Sequence, residues 1–240
     1  MSTTLIAIIA LSIGAAIVQR VSGFGFGIFI MTILPHLMPS YGSATLLAGM
    51  LAATQSLFVC VRYRQNLHIR RHLPIVLAFL VTSAISIHYL QQLDDTYIKK
   101  ILGVTLILLS IYFLIFSERI KVHTSNALQI GMGMISGVMG GLFAMQGPPA
   151  VLYYTAAERE KRDYMAATQL YFLIGNVFMT IVRFDAGFSI EGLGTRYALA
   201  MIGVIVGTLI GRVLFERISA VLMRKIIYTY LAIAGILALI

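Results

Sequence analysis

Charge is scarce in this chain. Of its 240 residues 18 are basic and 9 acidic, or 11% in all, while 59% are hydrophobic. The mean hydropathy is +0.92. A soluble globular domain carries about 25% charge and at most about 50% apolar residues, so that class is excluded. Disorder is excluded as well, because it needs low hydrophobicity. Cysteine occurs once, at Cys60. That rules out a disulfide framework, a Cys-x-x-Cys relay and a cysteine-held metal cluster, and makes Cys60 a small core residue. Acidic residues are absent from the middle of every apolar run. Asp94, Asp95, Asp163, Asp185 and Glu191 sit at run ends or in loops, so no carboxylate proton relay is visible inside a span. Gly-x-Ser-x-Gly, His-Glu-x-x-His and a buried carboxylate pair are also missing, which leaves an intramembrane enzyme without its expected groups. No enzyme activity, cofactor or metal is therefore expected. His68 and His72 have metal-pair spacing, but Arg70 and Arg71 between them repel a cation. No basic segment precedes the apolar run at Leu5, so a cleaved signal peptide is not expected.

What the chain does have is long uncharged runs, among them 21–61, 72–93, 122–157 and 164–182. A bilayer-crossing helix needs roughly 17–25 apolar residues. Outer-membrane barrels alternate polar and apolar positions instead. The expected class is a polytopic α-helical membrane protein. Its net charge of +9 reads as orientation signal and lipid contact, not nucleic-acid binding.

The chain also repeats itself. At an offset of 114, Ser22, Gly23, Gly27, Phe29, Met31 and Pro35 pair with Ser136, Gly137, Gly141, Phe143, Met145 and Pro149. The same offset carries Ala-Ala-Thr-Gln-Ser-Leu-Phe at 52–58 onto Ala-Ala-Thr-Gln-Leu-Tyr-Phe at 166–172, with five of seven positions identical. Lys99-Lys100-Ile101 matches Arg224-Lys225-Ile226 after a loop-like insertion at 184–195. The halves are 1–118 and 124–240, joined by a cytoplasmic linker at 119–123. The first reads as a broken element at 3–38 followed by helices 43–61, 73–91 and 98–117. The second reads as a broken element at 125–156 followed by 164–183, 196–215 and 222–240. Each broken element is too long for one straight span. The glycine-rich stretches 23–27 and 137–141 and the prolines 35, 148 and 149 mark the expected interruptions.

Orientation follows from basic residues. If each broken element folds back as a hairpin, the halves are inverted. One face then collects Arg62, Arg64, Arg70, Arg71, Arg119, Lys121, Arg159, Lys161, Arg162, Arg212, Arg217, Arg224 and Lys225. Only Lys99, Lys100, Arg183 and Arg196 remain on the other. If each element crosses once, the basic residues divide almost evenly, against the positive-inside rule. The expected fold is all-α: two inverted-topology repeats, each a broken hairpin-like element plus three transmembrane helices. Both termini lie outside and the 62–72 loop is cytoplasmic. Inverted repeats with broken helices point to a secondary transporter with its site near the bilayer midplane. Backbone freed by a break is tolerated only in protein or against a wet cavity, and the positive end of a half-helix attracts an anion.

Ser22-Gly-Phe-Gly-Phe-Gly-Ile ending at Pro35, with Ser136-Gly-Val-Met-Gly-Gly-Leu ending at Pro148-Pro149, resembles the paired signature of the TauE/SafE (TSUP) family of sulfite and organosulfonate exporters. Many members carry a longer glycine run in the first half, where this chain interleaves Phe24 and Phe26. The resemblance covers nearly the whole chain. The resemblance implies a secondary carrier of the plasma (inner) membrane that exports small sulfur-containing organic or inorganic anions such as sulfite or sulfonates, with its site near the bilayer midplane between the two broken-helix motifs. The alternatives are a passive anion channel or facilitator, and a carrier of other small organic anions. Expected partners are the anionic substrate, the lipid bilayer, H+ or Na+ as coupling ion, and a second copy of the chain as a homodimer.

The candidate substrate-binding residues are Arg20, Ser22, Gly23, Gly25, Gly27, Gln55, Ser136, Gly137, Gly140, Gly141, Gln146, Gly147, Gln169 and Asn176. Arg20 is the only charge before Val61. It is either an anion clamp with a planar fork or a headgroup-seeking side chain. Gln55 and Gln169 are the repeat-paired amides, suited to cavity lining or helix contact. Gln146 sits at a break. Asn176 and Arg183 share a helix face, with Arg183 expected at the membrane interface. Gly203, Gly207 and Gly211 read as helix packing, His88 as a packing residue, and Tyr153 and Tyr154 as interfacial anchors.

Overall fold

The computed structural model describes residues 3–66, 69–116, 125–158, 160–189 and 191–217, together with Thr229. The described residues form helices joined by turns. The helices are α1 (Thr3–Ser22), α2 (Phe26–Ile30), α3 (Leu34–Leu37), α4 (Tyr41–Arg62), α5 (Leu73–Leu90), α6 (Asp95–Phe116), α7 (Asn126–Phe143), α8 (Gly147–Ala157), α9 (Lys161–Asp185) and α10 (Leu193–Arg217). The helix expected at 222–240, the linker 119–123, His68, Arg159 and the Arg224–Ile226 match lie outside the described residues, apart from Thr229. Five helices, α1, α4, α5, α9 and α10, carry a stretch long and apolar enough to cross a membrane. The protein is a multi-pass all-α membrane protein.

The helix ends follow from local chemistry. Asp94 accepts from the Thr96 and Tyr97 backbone N–H groups at 2.8 and 3.3 Å and caps α6. Those bonds hold its carboxyl below the usual carboxylate range. Asp95 accepts from Tyr41 N at 2.8 Å and so serves the start of α4. Both satisfy orphan donors at a helix N-terminus.

The chain divides into two compact units, one of residues 1–48, 93–120 and 189–240, the other of 49–92 and 121–188. Each takes helices from both sequence halves. In the first unit α1 packs along α10; in the second α5 packs along α7. Both contacts are made by glycines. On α10, Gly203, Gly207 and Gly211 face Ile9, Ile13 and Arg20 in turn. On α7, Gly133, Gly137 and Gly141 face Ile75, Phe79 and Ser83. In each pair the registers ascend together, so the partners run parallel. Small residues let two backbones approach closely where lipid supplies no hydrophobic drive.

Both broken elements fold back. In the first unit Phe29 of α2 lies against Gly14, two turns before the end of α1. A straight continuation would carry Phe29 roughly 22 Å away at 1.5 Å per residue. The turn uses Gly23 (φ 83°) and Gly25 (φ 96°), conformations that only glycine adopts freely. In the second unit, α8 ends beside the start of α5. Arg71 donates to the Ala157 carbonyl at 3.4 Å, and His72 meets Glu158. α8 therefore runs opposite to α7. α9 turns again: Asp163 at its start bonds Asn66 at 2.7 Å, and Arg183 near its end reaches the end of α7.

The two breaks occupy different places in the repeat. Gly137 and Gly141 were expected to interrupt the second element, yet α7 runs through them to Phe143. The break is at Ala144–Gln146, directly before Pro148 and Pro149, which sit in the first turn of α8. A glycine in a membrane helix can serve close packing as well as a break, and here α5 occupies the face it leaves open.

Candidate functional site

The second hairpin has a cluster of buried polar side chains around its break. α7 ends on Ala144 in the left-handed conformation (φ 55°), which places a side chain near its own carbonyl and costs about 1–2 kcal/mol. The Ala144 N–H still reaches Gly140 O at 2.9 Å, and Met145 N–H reaches Met139 O at 3.3 Å. The remaining carbonyl capacity at this end goes to Arg183. Its Nη2 donates to Gly140 O at 2.9 Å and Gly141 O at 3.0 Å.

Arg183 is 0% exposed. The expectation that it lies at the membrane interface is corrected: its α9 position faces the hairpin. Burying an ion costs several kcal/mol, and the two carbonyl bonds are part of the compensation. A guanidinium also suits the negative end of the α7 dipole.

Ser136 and Gln146 meet across the break. Ser136 Oγ donates to the Gln146 carbonyl and accepts from Tyr171 Oη at 2.7 Å. Gln146 Nε2 donates to Phe172 O at 3.2 Å, while its Oε1 is buried without a hydrogen-bond partner among the described residues. The space for that amide exists because position 175 is glycine; a Cβ there would collide with Gln146 Oε1. Gly147 opens α8. The prolines that follow lack N–H groups, so of the first four residues only Gly147 and Ala150 bring a backbone donor.

The candidates thus fall into groups. Ser136, Gly140, Gly141, Gln146 and Gly147 come together at the second hairpin. Gly137, like Gly141, presents its bare face to α5. Gln55, Gln169 and Asn176 are buried in the same unit at 2%, 1% and 3% exposure. Ser22, Gly23, Gly25 and Gly27 form the first hairpin, where Ser22 Oγ donates to Val18 O and Phe24 O at 2.7 and 2.6 Å. Arg20 is half-buried, and its stem packs on Gly211, one residue before Arg212.

Two further expectations change. Tyr153 and Tyr154 are 2% and 1% exposed: the returning arm turns them inward, so they are not interfacial anchors. His88 is exposed near the end of α5 and rests on Tyr89, with ring centroids 6.3 Å apart, instead of packing between helices. Cys60 is a buried free thiol, as expected. Sequence reasoning passed over Tyr171, Gly175 and Glu158. Tyr171 and Gly175 were within reach, since both stand on the same segment as Gln169 and Asn176. Glu158 gave no signal beyond ending an uncharged run.

Membrane-crossing helices with a helix broken and folded back between them define a transport-type integral membrane protein. Residues 8–238 match the family described as sulfite exporter TauE/SafE, and the chain belongs to that family of membrane exporters of sulfite and related sulfur anions. No curated protein and no solved structure matches the chain significantly.

Proposed function

We propose that the chain is a secondary carrier that exports a small sulfur-containing anion, sulfite or a sulfonate, across the plasma membrane, and that the second hairpin binds it. The observation that carries this reading is Arg183, a guanidinium wholly buried at a helix break in a sulfur-anion exporter family. A sulfur oxyanion needs fixed positive potential in a site shielded from water, where each electrostatic contact is worth more than in bulk solvent. Arg183, on α9 beside the break, and the N-terminal end of α8 supply that potential, and Gln146 brings a buried amide to the same place. Inverted repeats fit the same reading. The hairpin of the second unit returns to the end it started from, and the basic residues Arg62, Arg64, Arg71 and Arg162 gather at that end through the Asn66–Asp163 and Arg71–Ala157 contacts. With that end cytoplasmic, the 62–72 loop is inside, and the inverted repeats read from the sequence put both termini outside.

A thermal-shift screen of the purified protein tests the cargo. Sulfite, thiosulfate, sulfate, sulfoacetate, taurine and simple carboxylates are compared with and without sodium. A ligand of the native state raises Tm by mass action. Sulfite or a sulfonate should shift Tm in the wild type and not in Arg183→Met. A shift only with a neutral or cationic metabolite would overturn the anion reading.

A further inference from the structure

We propose that His72 and Glu158 form the proton-binding site of this carrier, coupling H+ to the position of the second hairpin. The proposal deepens the carrier reading above and rests on it for the coupling, though not for the proton site itself. His72 opens α5 and Glu158 closes α8. Their side chains are 4% and 11% exposed, and Nε2 lies 2.9 Å from Oε1. The other side of the imidazole meets α8 again: Nδ1 is 3.4 Å from Tyr153 Oη, and the Tyr154 ring stands edge-on at 4.9 Å between centroids. Among the described residues Arg71 also faces the pair, its exposed side chain 3.6 Å from Glu158 Oε1. From α9, Tyr171 faces the same place. With His72 and Tyr154 it lines a cavity of about 10 Å³, roughly the room for one water.

This geometry gives protonation a defined consequence. In the neutral imidazole, Nε2–H donates to Glu158 and Nδ1 accepts from the Tyr153 hydroxyl. An arriving proton goes onto Nδ1. The imidazolium then donates on both sides, Tyr153 turns to accept, and the bond to Glu158, charged until then on the carboxylate side alone, becomes one between two ions. Histidine makes this change within the physiological range. The bond spans the joint between α5 and the far end of α8, an 11-residue helix whose other end is the break at Gln146. Tyr154 also packs on Tyr171 (5.7 Å between centroids), which donates to Ser136, which donates to the Gln146 carbonyl. Proton uptake therefore tightens the hairpin against α5 and proton loss releases it. By linkage, a ligand that prefers one hairpin position changes the proton affinity by the same factor.

The test has two readouts on the full chain. In detergent, Tm is followed from about pH 5 to 8, the window in which histidine titrates, for wild type, His72→Gln and Glu158→Gln. An imidazolium that gains a carboxylate partner stabilises below its unfolded pKa and is lost as pH rises. The wild type should therefore lose stability with rising pH by a step that His72→Gln lacks and Glu158→Gln shrinks. Identical profiles for wild type and His72→Gln would overturn the site. In proteoliposomes the probe is thiosulfate, which carries no proton of its own near neutral pH. A pH dye inside should respond to thiosulfate flux in the wild type. In His72→Gln, thiosulfate should still move down its own gradient, without the dye response and without acceleration by an imposed pH gradient. An equal response in both proteins would overturn the coupling. If the wild type moves no thiosulfate while the His72-dependent pH step is present, the thiosulfate result counts against the sulfur-anion reading and the proton site stands.

Discussion

At the residue scale, two arginines sit in different surroundings. Arg20, the lone charge before Val61, reads either as an anion clamp or as a headgroup-seeking side chain; its stem lies beside Gly211 next to Arg212 and its side chain is half-buried. Arg183 stands at the edge of an uncharged run and reads as interfacial, yet it is fully buried and holds the Gly140 and Gly141 carbonyls. Magnitudes suggest why such a residue is kept. Two hydrogen bonds from a charged donor contribute about 1.5–3 kcal/mol each. Burying the ion costs several kcal/mol. The two nearly cancel, so stability alone gives little reason for an arginine here. Arg183→Met keeps most of the volume and removes both terms. Its Tm should stay within a few degrees of wild type while thiosulfate and sulfite flux in proteoliposomes is lost. A protein that no longer folds would make Arg183 a structural cap, and unchanged flux would remove it from the site.

At the element scale, the glycines of α7 divide by what faces them. A Cβ at Gly137 would lie 2.7 Å from the Phe79 carbonyl of α5, and no side-chain rotation relieves a clash with backbone. A Cβ at Gly131 meets nothing within 4 Å. Gly137→Ala should therefore destabilise the protein by about 1–3 kcal/mol, as overpacking does, and Gly131→Ala should stabilise it by up to about 1 kcal/mol through helix propensity. Melting curves of the two variants check this, and equal shifts would mean α5 and α7 are not in contact. The same glycines show how far sequence carries. Element positions were legible because charge marks span ends: Arg62, Asp95 and Asp185 each fall at a helix terminus. The 114-residue offset was legible too, and it located both broken elements. Where each element breaks was not. Gly23 and Gly137 align, but one has positive φ and the other is helical, and only the helix facing Gly137 decides that. Glu158 was illegible for a related reason. Its partner His72 is distant in sequence, and only the return of α8 brings them together.

At the scale of the whole molecule, the direction of the hairpin decides the symmetry. A hairpin that returns to the face it left gives each half an odd number of crossings, so the second half begins on the opposite face from the first. An element that crossed would make both halves begin on the same face. The difference falls on the 158–163 turn, which shares a face with the 62–72 loop only in the inverted arrangement. Three contacts within the second unit tie those segments: Asn66 to Asp163, His72 to Glu158 and Arg71 to the Ala157 carbonyl. At the other end of the unit, Gln91 bonds the Ala186 carbonyl. Single cysteines placed in a Cys60→Ser background at the exposed positions Gln65, Glu160, Gln92 and Asp185 turn this into a measurement. In intact cells, a membrane-impermeant maleimide should label Gln92→Cys and Asp185→Cys. It should reach Gln65→Cys and Glu160→Cys only after the membrane is opened, as the proposed cytoplasmic placing of the basic end requires. Glu160→Cys labelling together with Gln92→Cys from outside would separate it from Gln65→Cys, and the inverted arrangement would fall.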